Sequence, residues 1–203
     1  MPSTVASLLT CLRLRASGSV PWKSAIKTLR PGVYLVSRSA DAHRSSDPSQ
    51  QATFDRNALH SWIRNVTTLC VDKVRCTDTL VLEARLTRYW IPDENILYIG
   101  KATSLRSRIG AYYTTPLGAR GPHAGGHWIK TLSTLNQLHV HFAETKSINE
   151  AEGAEEELIK LFSSSVSESS RSRLPRHEDP LPFANLKFPN GARKGHGISG
   201  ATC

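Results

Sequence analysis

Short apolar runs separated by polar segments predict a series of small strands along this chain. Gly32 to Val36 and Ile96 to Ile99 are continuous apolar runs with the length of buried strands. Leu80 to Tyr89 alternates in part between apolar and polar residues, which predicts a further strand, and Gln137 to Ala143 alternates more regularly. These segments supply the expected sheet.

Helical spacing and capping residues predict the elements that would cover this sheet. Thr53 and Ser104, or Thr103, are suitable caps because their hydroxyl groups accept backbone N–H groups at a helix start. Pro31 would end an early helix, since the residue before a proline disfavours the helical conformation. The predicted helices cover residues 22–29, 53–66, 105–113, a short stretch from His127, and 149–162.

The order of these elements predicts one α/β domain, an α+β sandwich whose small, mostly antiparallel sheet is flanked by helices. A length of 203 residues suits a single domain. We expect this domain to span residues 21–203, after a basic and flexible segment over residues 1–20. Its irregular parts would be an insertion at 37–94, a flexible loop at 163–180 and a basic tail at 186–203.

Glu155 lies inside the apolar face of the helix predicted over 149–162. At about 100° per residue, that face comprises Ala151, Ala154, Leu158, Leu161 and Phe162. An ionised carboxylate among apolar side chains is costly unless it is paired or binds a metal. Glu155 is therefore a candidate metal ligand, and the alternative is a carboxylate at the rim of the face that pairs with an arginine.

Arg108 lies on the flank of the apolar face of the helix predicted over 105–113. Tyr112 follows it by four residues, so the two side chains can act together on one side of the helix. Arg106 points in a different direction. Arg108 is a candidate phosphate ligand, and a solvated arginine is the alternative.

Charge and cysteine content narrow the function classes. Lys and Arg outnumber Asp and Glu by 26 to 17, and a net charge of +9 favours a polyanionic partner such as nucleic acid. No apolar run approaches the ~20 residues of a membrane span. The four cysteines form neither a zinc motif nor a disulfide framework, which favours a reducing, cytoplasmic compartment. The first forty residues lack Asp and Glu, so an organellar transit peptide is the alternative.

Two blocks of the chain resemble the signature of the GIY-YIG nuclease superfamily. They are PGVY at residues 31–34 and YIGKATSLRSR at residues 98–108. The second block looks most like the nuclease domain of the bacterial excision-repair incision subunit, and the chain is similar to a small stand-alone bacterial member. Tyr112, the helix that carries Glu155, and Pro182-Phe-Ala-Asn185 match further elements of the family in the same order.

The resemblance implies a divalent-metal-dependent endonuclease that hydrolyses phosphodiester bonds, most consistent with DNA, in repair, recombination or restriction. Glu155 would hold one Mg²⁺ or Mn²⁺ ion, since these hard cations prefer oxygen ligands and keep several waters. Arg108 would bind the scissile phosphate and stabilise its developing charge. Asn185 would form hydrogen bonds within the site and fix the tail.

The resemblance also assigns roles to the tyrosines. Tyr34 would help to deprotonate the attacking water, and Lys101 is the cation expected to lower its pKa from about 10. Tyr98 would orient the water or the substrate, and Tyr112 would assist on the same side. The chain departs from most relatives because about sixty residues separate Tyr34 from Tyr98, where a short hairpin is usual.

Other interpretations stay open at this point. A non-catalytic nucleic-acid-binding protein on the same scaffold is the principal alternative, and DNA is not distinguished from RNA. The glycine-rich stretch between His123 and His127 is similar to a loop of some small bacterial members. We expect a structural or phosphate-contacting role for it rather than a metal site.

Overall fold

The computed structural model describes residues 3–45, 51–119, 121–122, 125–175 and 179–200. In chain order its elements are α1 (Val5–Cys11), β1 (Gly18–Pro21), β2 (Gly32–Ser37), α2 (Arg56–Asn65), β3 (Cys70–Val71), β4 (Val74–Arg75), α3 (Thr79–Thr87), β5 (Ile96–Ala102), α4 (Leu105–Thr114), two 3-10 helices (His127–Thr131 and Leu135–Gln137), β6 (His139–Glu144), α5 (Ile148–Ser165), α6 (Glu168–Arg171) and β7 (Ile198–Ser199). Within these ranges, no helix is both long and apolar enough to span a membrane.

The main sheet has four strands in the order β1-β6-β2-β5, and every neighbouring pair is antiparallel. A smaller sheet has the order β4-β3-β7 and is also antiparallel. The predicted α+β class is therefore confirmed. The insertion leaves the main sheet at Ser37 and returns at Ile96, and these two residues are register partners. Because its two ends are adjacent, the insertion leaves the pairing of β2 with β5 regular from Gly32 to Val36, and the register shifts by one residue only at Ser37.

The two faces of β2 build two hydrophobic cores. Val33 and Leu35 point to one face and pack with the helices α1 and α5, whereas Tyr34 and Val36 point to the other and pack with α2, α3 and α4. All residues of β2 are buried. This two-sided burial explains why β2 is a continuous apolar run in the sequence.

The prediction of a flexible segment over residues 1–20 is wrong for the described residues 3–20. Val5, Leu8 and Leu9 have helical spacing and are buried in α1, which packs against α5. Thr4 and Ser7 cap this helix reciprocally. β1 then pairs with β6 at the edge of the main sheet.

Two other predicted elements are wrong in type. Residues 22–29 contain no helix; Trp22 and Ile26 are buried, and the Thr28 carbonyl oxygen accepts the Arg106 N–H group at the start of α4. The segment predicted as a strand over Leu80 to Tyr89 is the helix α3. Only Leu82 and Leu86 of its alternating leucines are buried, one helical turn apart.

The remaining helix predictions agree with the structure in position. α2 begins after Asp55, which caps it in place of Thr53, and α4 begins after the predicted cap Ser104. A short 3-10 helix starts at His127 as expected. The loop predicted over 163–180 is wrong in part, because α5 continues to Ser165 and α6 follows; residues 176–178 lie outside the described residues.

The first prediction concerns the N-terminal helix. Replacing Leu9, which is 2% exposed, with alanine should lower the free energy of unfolding by about 2–5 kcal/mol, because the change leaves a cavity between α1 and α5. Urea denaturation followed by circular dichroism measures this loss. The control is Thr10→Ala on the exposed side of the same helix, which we expect to change stability by less than about 0.5 kcal/mol. Equal effects of the two changes would contradict the packing of α1.

Candidate active site

Three tyrosine rings form a buried cluster on one face of the main sheet. Tyr34 on β2 lies opposite Gly100 on β5, so Tyr34 and Tyr98 are diagonal neighbours on paired strands. Tyr112 reaches them from α4, with ring-centroid distances of 6.3 Å to Tyr34 and 5.4 Å to Tyr98. The Tyr34 and Tyr98 hydroxyl groups are hydrogen-bonded to each other.

Gly100 provides the space that this cluster needs. A Cβ atom at Gly100 would lie 2.7 Å from Cε1 of Tyr98 and 2.9 Å from the hydroxyl oxygen of Tyr34. Those distances are shorter than any ordinary van der Waals contact, and both neighbours are rigid rings held in a core. The glycine in the second signature block is therefore required by the approach of two aromatic side chains.

The Tyr112 hydroxyl group binds the glycine-rich loop. This group donates a hydrogen bond of 2.7 Å to the Gly126 carbonyl oxygen. Gly126 has a φ of 69°, and a Cβ atom there would lie 2.1 Å from the Tyr112 hydroxyl oxygen. His127 is buried beside this loop, and its Nδ1 atom accepts the Gly118 N–H group. His123 lies outside the described residues.

Glu155 projects from α5 toward the end of β5. Its Oε1 atom accepts the backbone N–H group of Lys101 at 3.1 Å, and its Oε2 atom lies 3.8 Å from the Lys101 Nζ atom. The Lys101 ammonium group itself donates to Glu152 at 2.7 Å. Burial raises the pKa of Glu155 above its usual range, and the Lys101 charge opposes that shift. Helix periodicity had indicated such a partly buried carboxylate.

Arg108 acts on this group of residues through its charge. Its guanidinium group lowers the pKa values of Tyr34, Tyr98 and Glu155, in each case against a larger upward effect of burial. A single cation that influences all three groups must lie close to them. Arg108, which the sequence predicted on the flank of α4, therefore lies near the tyrosines and Glu155.

Burial controls the pKa values of the tyrosines. It raises the pKa of Tyr34 well above its usual value, and it is the main cause that raises the pKa of Tyr98 to about 12, followed by the negative charge of Glu155. The expectation that Lys101 lowers the pKa of Tyr34 is wrong, because the net shift is upward and Arg108 is the cation that opposes it.

Asn185 covers the edge of β5 that does not pair with β2. Its Oδ1 atom accepts the Ile99 N–H group at 2.9 Å, and its Nδ2 atom donates to the Ile99 carbonyl oxygen at 2.8 Å. The Ala184 N–H group donates to the carbonyl oxygen of Leu97 on the same edge. The Asn185 side chain thus pairs with the strand as a neighbouring backbone would, and it fixes the C-terminal segment beside the site.

A cleft of about 440 Å³ lies between the end of β5, α5 and the C-terminal segment. Of the predicted site residues, Tyr98, Lys101, Glu155 and Asn185 line this cleft. Tyr34, Arg108 and Tyr112 do not line it. The structure therefore brings all the predicted residues to one region but divides them between the cleft surface and a supporting layer.

Several residues that line the cleft were not predicted from the sequence as site residues. Glu156 lines the cleft next to Glu155, and Lys187, Arg193 and His196 line its opposite side. Burial, and then the Lys194 charge, lower the pKa of His196 to about 4, so its imidazole is neutral at neutral pH. The only sequence signal for this wall is the basic composition of residues 186–203.

The donor set for a cation at this cleft is small. No group of three or more His, Cys, Asp or Glu side chains within the described ranges is arranged to hold a metal ion. Glu155 presents a side chain that is 21% exposed to the cleft, and one carboxylate with several waters is a normal environment for Mg²⁺. The residues present fit a hard, largely hydrated divalent ion.

No family model, curated protein or solved structure matches this chain.

The second prediction concerns the coupling of Glu155 to Tyr98. Glu155→Gln should lower the pKa of Tyr98 from its value of about 12, because it removes a negative charge that disfavours the phenolate. Spectrophotometric titration of tyrosine ionisation, with circular dichroism to follow folding, measures the change. The matched control is Glu157→Gln, an exposed position on the same helix that pairs with Lys160. An unchanged titration curve in Glu155→Gln would contradict the coupling.

Proposed function

We propose that this protein is a Mg²⁺- or Mn²⁺-dependent endonuclease that hydrolyses phosphodiester bonds in nucleic acid, most consistent with DNA. One observation carries the proposal. The residues that resemble the GIY-YIG signature come from positions 34 to 185 of the sequence and lie together at one end of β5. A resemblance due to chance would not be expected to produce this convergence.

Glu155 is the proposed metal ligand. One of its oxygens is held by the Lys101 N–H group, which fixes the carboxylate orientation; the second lies 3.8 Å from the Lys101 Nζ atom, and both residues line the cleft. The cation would neutralise charge on the scissile phosphate and assist departure of the leaving oxygen. Binding would also require an ionised Glu155, and Lys101 and Arg108 favour that state.

Arg108 and Lys101 are the proposed phosphate-stabilising residues. Negative charge builds up on the phosphoryl oxygens during hydrolysis, and fixed cations in a partly buried site stabilise it more than water does. Lys101 lines the cleft itself. Arg108 does not line the cleft and contributes through its field, as its effect on the pKa values of Tyr34 and Tyr98 indicates.

The tyrosine roles differ from those expected from sequence. Tyr98 lines the cleft, so we assign it to the position next to the attacking water, and Tyr34 orients the Tyr98 hydroxyl through their hydrogen bond. A general base works best when its pKa is near the working pH. The negative charge of Glu155 is one of the effects that raise the pKa of Tyr98. A cation bound to Glu155 would neutralise that charge and would therefore make Tyr98 more acidic.

The third prediction tests this assignment in a cleavage assay. With Mg²⁺ present, Glu155→Gln and Arg108→Ala should each reduce nicking of plasmid DNA by about 10²–10³-fold, because each removes a group that stabilises the transition state. Arg106→Ala and Glu157→Gln are the matched controls, since Arg106 and Glu157 are exposed and do not line the cleft. Both controls should cleave at the rate of the unchanged protein.

The choice of substrates decides between the open alternatives. Duplex, single-stranded, flapped and branched DNA, with RNA versions of the same sequences, should be compared with Mg²⁺, with Mn²⁺ and with EDTA. Binding without cleavage of any substrate would favour the non-catalytic nucleic-acid-binding protein. Cleavage at the unchanged rate in Glu155→Gln and Arg108→Ala would contradict the proposed mechanism.

A further inference from the structure

The wall of the cleft opposite α5 is a short hairpin over residues 186–194, called the basic hairpin below. The Phe188 N–H group donates to the Ala192 carbonyl oxygen, and the Lys194 N–H group donates to the Leu186 carbonyl oxygen. Its turn is closed by Gly191, which has a φ of 86°. Backbone hydrogen bonds thus hold the two arms of the hairpin side by side.

Lys187 and Arg193 occupy directly opposite positions on the two arms of the basic hairpin. They form an antiparallel bridge, are exposed, and both line the cleft. Directly opposite residues of such a pair project to the same side, with Cβ atoms about 4.5–5.5 Å apart. Like charges in this arrangement destabilise the pairing. The unfavourable juxtaposition is offset when an anion binds to both side chains.

The neighbouring residues hold the basic hairpin against the rest of the domain. Lys194, the residue after Arg193, is 5% exposed and donates to the carbonyl oxygens of Pro182 and Phe183. Its ammonium group also lies 5.1 Å from the Trp128 ring centroid. Successive residues of an extended arm point to opposite sides, so a buried Lys194 directs Arg193 to the cleft.

The insertion supports the same wall from outside. Arg85 on α3 pairs with Asp72 and donates to the His196 carbonyl oxygen at 3.0 Å. The Tyr89 hydroxyl group donates to the Gly195 carbonyl oxygen at 2.9 Å, and β7 pairs with β3. The C-terminal arm that carries Arg193 is therefore fixed by several contacts in the residues that follow it.

We propose that the basic hairpin is a strand-holding element, in which Lys187 and Arg193 together bind phosphate groups of the nucleic-acid strand that enters the cleft toward Glu155. This assignment rests on the proposed function for the choice of nucleic acid as the anion. It gives the insertion a role as the support of the substrate-binding wall. Lys187 and Arg193 bind substrate and take no part in the bond-breaking step.

The test is a binding measurement that does not depend on cleavage. Fluorescence anisotropy of labelled single-stranded and duplex DNA, in EDTA, gives the affinity of the full-length protein over a range of salt concentrations. In the double variant Lys187→Gln/Arg193→Gln, the slope of log K against log salt should become less steep by about 1.4 for a single strand or about 1.8 for a duplex, the value for two lost phosphate contacts.

The matched control is Lys73→Gln/Arg75→Gln. It removes the same charge from another exposed hairpin, formed by β3 and β4, which does not line the cleft. The control should keep the slope of the unchanged protein. Equal slopes in both double variants, or no DNA binding by the unchanged protein, would overturn the proposal for the basic hairpin. Metal-dependent cleavage is scored separately, so its loss or retention reports on the proposed function alone.

Discussion

The antiparallel pairing of β2 with β5 is the constraint on which the rest of the structure depends. It sets Tyr34 opposite Gly100 and thereby brings Tyr34 into contact with Tyr98. A shift by one residue would turn every side chain of one strand to the other face of the sheet. The register shifts only at the end of the pair, between Val36 and Ser37, where Ser37 lies beside Ile96 and the long insertion begins and ends at adjacent positions.

The site is built where β5 forms the edge of the main sheet. An exposed edge has unpaired N–H and C=O groups, and here Ala184 satisfies the Leu97 carbonyl group while Asn185 satisfies both the N–H and the C=O group of Ile99. The C-terminal segment that covers the edge continues into the basic hairpin and then into β7. One set of hydrogen bonds therefore protects the sheet edge and positions the far wall of the cleft.

Burial outweighs charge in the electrostatics of this region. It is the main cause that raises the pKa values of Tyr34, Tyr98 and Glu155, and Arg108 opposes it at all three. For Tyr98 the shift from 10.0 to about 12 corresponds to about 3 kcal/mol in favour of the neutral phenol. A change of charge at Glu155 therefore acts on a tyrosine whose pKa burial has already raised.

The sequence by itself determined the features that depend on local geometry. Helix periodicity selected Glu155, the hydroxyl group of Ser104 located the start of α4, and an apolar run located β2. Tertiary structure decided α1 and α3, because short segments take the conformation that buries their apolar residues against distant neighbours. It also decided the upward pKa shifts and the wall formed by Lys187 and Arg193. Desolvation, and contacts between residues more than eighty positions apart such as Ile99 and Asn185, arise only when the chain is folded.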